Sequence, residues 1–176
     1  VMRHITNDEV KRRFAKQVEK ARIKSLASED FPKILEIENG IARIADNPPL
    51  IYHRTDVNAE HYHKKVEAAF QRYAATLGVE KKILFDQYKF VDIATKVVGV
   101  GSVGRLCGIS LRMTANNEPL VLQVKEATSS VLEPFTRKTI FENYGQRIVH
   151  GQKMMQAASD IFLGWGTGID GRHFYV

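Results

Sequence analysis

The chain predicts an α+β fold, and three observations carry that expectation. Apolar residues recur at helical spacing both early in the chain and near its end. The stretch from Asp92 to Ala127 reads as three strands separated by turns. Asn39-Gly40, the pair a tight hairpin turn prefers, sits between two short runs that match each other in charge and hydrophobicity. Helices and strands fall in separate blocks, which favours α+β over an alternating parallel fold. The expected organisation is a helical region at residues 1–89, with a β-hairpin at 34–45, followed by a lobe at residues 90–176. That lobe is built on a small antiparallel sheet with one packed helix.

In the first block, Thr6-Asn-Asp-Glu9 has capping-box spacing, and Val10, Phe14, Val18 and Ala21 follow at helical intervals. Lys11, Arg12, Arg13, Lys16, Lys20 and Lys24 line the rest of that helix, as on a solvated amphipathic surface. A two-residue turn at Asn39-Gly40 pairs Glu36 with Arg43 and Leu35 with Ile44. It also places Leu35, Ile37, Ala42 and Ile44 on one face. Asp46-Asn-Pro-Pro49 then breaks regular structure. A helix is predicted from about Asp56 to Leu77, where Tyr62, Val66, Phe70, Tyr73 and Leu77 form a stripe. A shorter one covers about Glu80–Tyr88.

From Phe90 the pattern changes. Strands are predicted at Asp92–Val100, Arg105–Thr114 and Leu120–Ala127, with a turn at Ala115–Pro119. A long helix is expected from about Lys138 to Ser159, with Phe141, Tyr144, Ile148 and Met155 on its apolar side. The tail holds Gly164, Gly166, Gly168 and Gly171, expected as a flexible loop before a strand at His173–Val176.

Composition bounds the function. The 176 residues are 44% hydrophobic and 26% charged, enough for a real core. No run of about 18 apolar residues is present, so no membrane partner is expected. The first residues lack the apolar core of a leader peptide. Cys107 is the single cysteine, so no internal disulfide forms and a cytoplasmic location is expected. The net charge of +6 favours a phosphate-bearing partner. That covers nucleotides and nucleic acid alike, but acidic residues are interleaved with most of the basic ones, as on a solvated surface, so nucleic acid is not the expected partner; the nucleotide expectation comes from the motifs that follow. The chain lacks an initiator Met and stops inside Phe174-Tyr175-Val176, so it is expected to be a piece of something longer.

The chemistry centres on Val97–Gly104, V-V-G-V-G-S-V-G. A G-x-G-x-x-G turn lets backbone N–H groups close on phosphates without hindrance from Cβ. As a dinucleotide fingerprint it must open a helix. Here R-L-C-G-I-S-L-R-M follows Gly104 and alternates like a strand. Strand, glycine turn and strand match the lid over ATP phosphates in kinases, where the next strand carries a phosphate-pairing lysine. Lys125, ending L-V-L-Q-V-K, holds that position and shares a face with Val121 and Gln123. The bland alternative is a glycine-rich hairpin with an edge lysine. The lysine needs a carboxylate partner, and both Glu133 and Glu142 lie downstream within reach of the choice. Glu126 is expected to point the other way by strand alternation. The candidate nucleotide-binding residues are therefore Gly99, Gly101, Ser102, Gly104, Lys125, Glu133 and Glu142.

Three long runs carry a more specific signal: Asp92–Gly104 (D-I-A-T-K-V-V-G-V-G-S-V-G), Leu122–Glu133 (L-Q-V-K-E-A-T-S-S-V-L-E) and Gly145–Trp165. Together with D-N-P-P-L at Asp46–Leu50 and Y-K-F-V-D at Tyr88–Asp92, they closely resemble the bacterial domain-of-unknown-function family 2252. The resemblance implies a kinase-like N-lobe, related to small-molecule phosphotransferases and protein kinases. Gly99, Gly101 and Gly104 would form the phosphate lid and Lys125 the pairing lysine, and Glu133 gains standing over Glu142. It also implies ATP and Mg²⁺ as cofactors and a phosphate acceptor that stays unidentified. The family's G-D-x-H-x-x-N-type catalytic motif and its Asp-rich metal motif are expected N-terminal to this region, so Mg²⁺ ligands are expected outside the segment. Neither Asp30-Phe31-Pro32 nor Asp170-Gly-Arg-His173 completes such a motif.

Other constellations count for less. His61 and His63 fall on different faces of a helix and lack a third zinc ligand. Cys107 reads as a small buried hydrophobe. His150 is expected at the surface and Arg147 in a salt bridge. The leading expectation is a nucleotide-binding part of a kinase-like phosphotransferase. The alternative is a non-catalytic kinase-like scaffold that binds protein or RNA.

Overall fold

The computed structural model describes residues 34–38, 40–99 and 104–176. The basic helix expected near the N-terminus lies outside them, as do Asn39 and the middle of the glycine turn. The chain divides into two compact units, Val1–Ala45 and Asp46–Val176.

In the first unit, β1 (Leu35–Glu38) and β2 (Ile41–Ile44) form a two-stranded antiparallel hairpin. Its register is the expected one, with Leu35 opposite Ile44 and Glu36 opposite Arg43. Gly40 has φ +82°, the left-handed conformation that a tight hairpin turn demands and that a Cβ disfavours. Arg43 reaches the diagonal acid, with Nη1 2.5 Å from Glu38.

The second unit is built on a six-stranded antiparallel sheet. Its strands are β3 (Ile51–Tyr52), β4 (Lys89–Lys96), β5 (Cys107–Met113), β6 (Pro119–Ala127), β7 (Trp165–Thr167) and β8 (His173–Tyr175), in the order β3-β4-β5-β6-β8-β7. The α+β expectation therefore holds, and the sheet is larger than expected. The tail read as a flexible loop contributes β7, and its glycines permit close approach. A Cβ on Gly164 would lie 2.8 Å from the Tyr73 ring, and one on Gly166 would lie 2.9 Å from the Phe174 ring.

Helix α1 (Ala59–Ala74) is capped by Asn58, whose Oδ1 accepts the His61 N–H at 2.9 Å. Its predicted stripe is its buried face: Val66, Phe70 and Tyr73 join Phe85, Leu122, Phe162 and Phe174 in the core. Phe85 comes from helix α2 (Val79–Phe85). Both helices thus pack on the sheet of residues 89–175, within one unit. The same face buries Arg112 on β5. Its guanidinium lies 4.5 Å from the Phe85 ring and 5.2 Å from the Phe70 ring, and bonds Glu67 and the Tyr88 carbonyl. Arg112 shares this face of β5 with Gly108 and Ser110, and α1 and α2 lie over it.

Helix α3 (Tyr144–Met155) is shorter than expected, and its inward face differs. Asn143 sets its start, with Oδ1 accepting the N–H groups of Gly145 and Gln146 at 2.8 and 3.2 Å. Gly145 and Val149, one turn apart, are buried, while Met155 is exposed and Phe141 precedes the helix. Gly145 decides this face. Its backbone lies so close to β8 that a Cβ there would fall 2.2 Å from the Phe174 carbonyl oxygen. Among the described residues no helix is long and apolar enough to cross a membrane.

Candidate functional site

The glycine turn joins β4 to β5. Gly101 and Ser102 lie outside the described residues. Gly99 is exposed, and Gly104 adopts φ +78°, a conformation that favours glycine as the chain turns into β5. The strand after Gly104 pairs antiparallel with β4, so no helix N-terminus follows the turn and the dinucleotide reading is excluded.

Lys125 lies on β6, opposite Cys107 on β5 and Tyr175 on β8. Directly opposed residues share a face, and Tyr175 is in turn opposite Trp165. Helix α3 packs on that face, where His150 sits 5.5 Å from the Trp165 ring and 4.8 Å from the Phe141 ring. His150 is therefore half-buried between aromatic rings rather than a surface residue. Lys125 is half-buried, and among the described residues no carboxylate oxygen lies within 4.0 Å of its Nζ.

The candidate acids stand apart from it. Glu142 is exposed and precedes the α3 cap, and α3 itself, Y-G-Q-R-I-V-H-G-Q-K-M-M, carries no acid. Glu133 opens a short 3-10 turn, Glu133–Phe135. Its Oε1 is buried with no hydrogen-bond partner among the described residues. Arg147 makes no ion pair among those residues either. Its Nη2 donates to the Thr128 carbonyl at 2.9 Å, and its Nε is buried without a partner.

Glu126 points to the opposite face, as alternation predicted. One carboxylate oxygen accepts the Leu106 N–H at 2.8 Å and the other pairs with Arg172 at 3.4 Å. It thereby ties the exit of the glycine turn to β6. On this α1 face lies a cavity of about 510 Å³, lined by Tyr62, Val66, Phe70, Val124, Glu126 and Phe174 among others. Lys125 does not line it, so the lysine face and the cavity face of the sheet are separate places.

One relay was not read from the sequence. His53 Nδ1 lies 2.8 Å from Asp46 Oδ1, and its Nε2 lies 3.1 Å from both oxygens of Asp92. Asp92 is 2% exposed and also accepts the Ile93 N–H. This bridge fastens the segment that carries β3 against β4, the strand leading into the turn. Asp46 and Asp92 open and close two of the runs singled out above. Their meeting through His53 has no local signal, because it depends on a strand pairing across distant sequence. Among the described residues no group of three or more His, Cys, Asp or Glu side chains could hold a metal ion.

Burial pushes the Cys107 thiol up from its ordinary pKa. The hydrogen bond from Gln123, and the charges of Lys125 and Lys96, act in the other direction.

The family described as "Uncharacterized protein conserved in bacteria (DUF2252)" matches residues 1–176. No curated protein matches the chain. No solved structure matches it either.

Proposed function

From the premise that this chain belongs to the uncharacterised bacterial family DUF2252, we propose that it grips the phosphates of a nucleotide, as the ATP-binding part of a kinase-like phosphotransferase. The observation that carries this reading is the placement of Lys125. It stands on the third strand of a run that begins with the glycine-turn hairpin, on the sheet face that α3 covers, and without a carboxylate partner among the described residues. Strand, glycine turn, strand, lysine strand and helix is the order in which kinases arrange their phosphate grip. A half-buried ammonium with no acid beside it favours an anion from outside. The donor types suit ATP phosphates: a point charge from Lys125, and a run at residues 99–104 whose glycine composition leaves backbone N–H groups unhindered by Cβ. Lys125 then neutralises and orients the phosphates. No cluster among the described residues fits Mg²⁺, and no step is assigned to it. A cytoplasmic location fits the single buried thiol.

Calorimetric titration with ATP tests the reading. Lys125→Ala is expected to weaken binding about 10- to 100-fold, the scale of one charge-assisted contact. Equal affinity in the two proteins overturns the role of Lys125.

The absence of any acid on α3 favours a second reading, a non-catalytic kinase-like scaffold that binds protein or RNA. It expects no thermal shift with ATP, and RNA binding, if present, would fall steeply with salt.

A further inference from the structure

We infer that Lys96 is a second phosphate-binding residue, and that Lys96 and Lys125 together make the site selective for a polyphosphate over a monophosphate. The inference rests on the nucleotide-phosphate reading above and names the ligand class of that same site.

Lys96 is the last residue of β4, directly before the glycine turn. Along β4, Asp92, Ala94 and Lys96 share one face. Ala94 is opposite Ile109, and Ile109 is opposite Gln123, two residues before Lys125 on β6. Lys96 therefore lies on the Lys125 face. The register continues one step further. Thr95 is opposite Gly108, which places Lys96 level with Cys107, and Cys107 is opposite Lys125. The two lysines occupy one row across three adjacent strands, with Cys107 between them. At the usual strand spacing their backbones are on the order of 10 Å apart. The charges of Lys125 and Lys96 both act to lower the Cys107 thiol against the effect of burial.

Among the described residues nothing neutralises this row by an ion pair. Both lysines are half-buried, and among the described residues neither has a carboxylate within 4.0 Å. Asp92, the acid on the same face of β4, is engaged by His53. The helix packed on this face carries no acid. Ile51, opposite Lys96 on β3, and Tyr175, opposite Lys125 on β8, bring no negative charge at neutral pH. Two like charges at the mouth of a glycine turn repel each other until an anion joins them. A single phosphate meets one lysine, whereas a chain of phosphates lies along the row and meets both.

The test titrates the full chain with ATP, AMP and inorganic tripolyphosphate, in the wild type, Lys96→Ala, Lys96→Arg and Lys125→Ala. The wild type is expected to prefer ATP to AMP by at least about tenfold. Lys96→Ala should lose most of that preference while AMP affinity stays nearly unchanged, and Lys96→Arg should restore it. Circular dichroism and the melting temperature report whether each variant folds. Tripolyphosphate binding that matches ATP and depends on both lysines would keep the lysine pair and overturn the nucleotide reading. ATP binding that is lost in Lys125→Ala but unchanged in Lys96→Ala would overturn the role of Lys96 alone.

Discussion

The Glu126 carboxylate accepts the backbone N–H of Leu106 at 2.8 Å, and the Glu126 N–H donates to the Leu106 carbonyl at the same distance. One residue thus closes the exit of the glycine turn twice, once through its backbone and once through its side chain. Glu126→Ala removes the side-chain half. The expected cost is about 1.5–3 kcal/mol of local or global stability. Hydrogen exchange at the Leu106 amide should speed by at least about tenfold, while α3 amides keep their protection. Unchanged exchange at Leu106 would remove this closing role.

Gly145 determines how closely α3 docks. An added Cβ would meet the Phe174 carbonyl at 2.2 Å, and backbone yields less readily than a side chain. Gly145→Ala is expected to destabilise by about 1–3 kcal/mol through overpacking. Gly151, on the same helix, has nothing within 4 Å of its Cβ position. Gly151→Ala should be neutral or stabilise by up to about 1 kcal/mol from helix propensity. Denaturant melts of the two variants give opposite signs if the docking is as described.

Arg112 is a buried cation that depends on Glu67. Its side chain is 2% exposed and that of Glu67 is 36% exposed, at 3.2 Å. Glu67→Ala leaves the guanidinium with the Tyr88 carbonyl and two aromatic rings but no counter-charge. A loss of about 2–3 kcal/mol is expected, below the ~3–5 kcal/mol of a fully buried pair because Glu67 is partly solvated. Replacing both residues by Met should cost less than removing Glu67 alone. A double variant as unstable as the sum of its parts would refute the pairing.

Tyr73 makes stability fall at high pH. Its hydroxyl donates to the Phe162 carbonyl inside the core. Burial, reinforced by Asp160 and opposed by Arg112, holds its phenol well above the usual tyrosine range. Below the unfolded value near 10 both states keep the proton, and this contribution is fully present. Above about pH 10 the unfolded chain releases its proton first, so stability declines as pH rises toward the folded value. Urea melts between pH 8 and 11 should show that decline, and Tyr73→Phe should make it shallower, leaving the share of Tyr62, Tyr175 and Cys107, which burial also raises, at a cost of about 1 kcal/mol near neutrality.

Cys107 is 6% exposed, and its thiol is held protonated by burial. Iodoacetamide at pH 8 should alkylate it at least about tenfold more slowly in the native protein than in urea, because the thiolate is the reacting form and access is blocked. Equal rates measured by intact mass would place the thiol at the surface.

Much of the fold was legible in local patterns. The register of β1 and β2 followed from charge and apolar matching around Gly40, since a two-residue turn leaves one pairing that satisfies both. The stripe from Tyr62 to Leu77 followed from helical periodicity. Lys125 and Glu126 were assigned to opposite faces by strand alternation alone. The inner face of α3 was misread because Phe141 and Met155 look more apolar than Gly145. The helix instead packs where the absence of a Cβ allows the closest backbone approach.

By itself the sequence determined the β1–β2 hairpin and the run of three strands from Asp92 to Ala127, that a glycine turn is followed by a strand, and that a lysine lies on the strand after that. These are local properties, set by side-chain alternation and by backbone freedom at glycine. Tertiary structure alone decided that the glycine-rich tail supplies β7, that His53 joins Asp46 to Asp92, and that Lys96 falls into line with Lys125. Each of these depends on the register between strands far apart in the chain. Register comes from the summed packing of both sheet faces, so it cannot be read from any one segment.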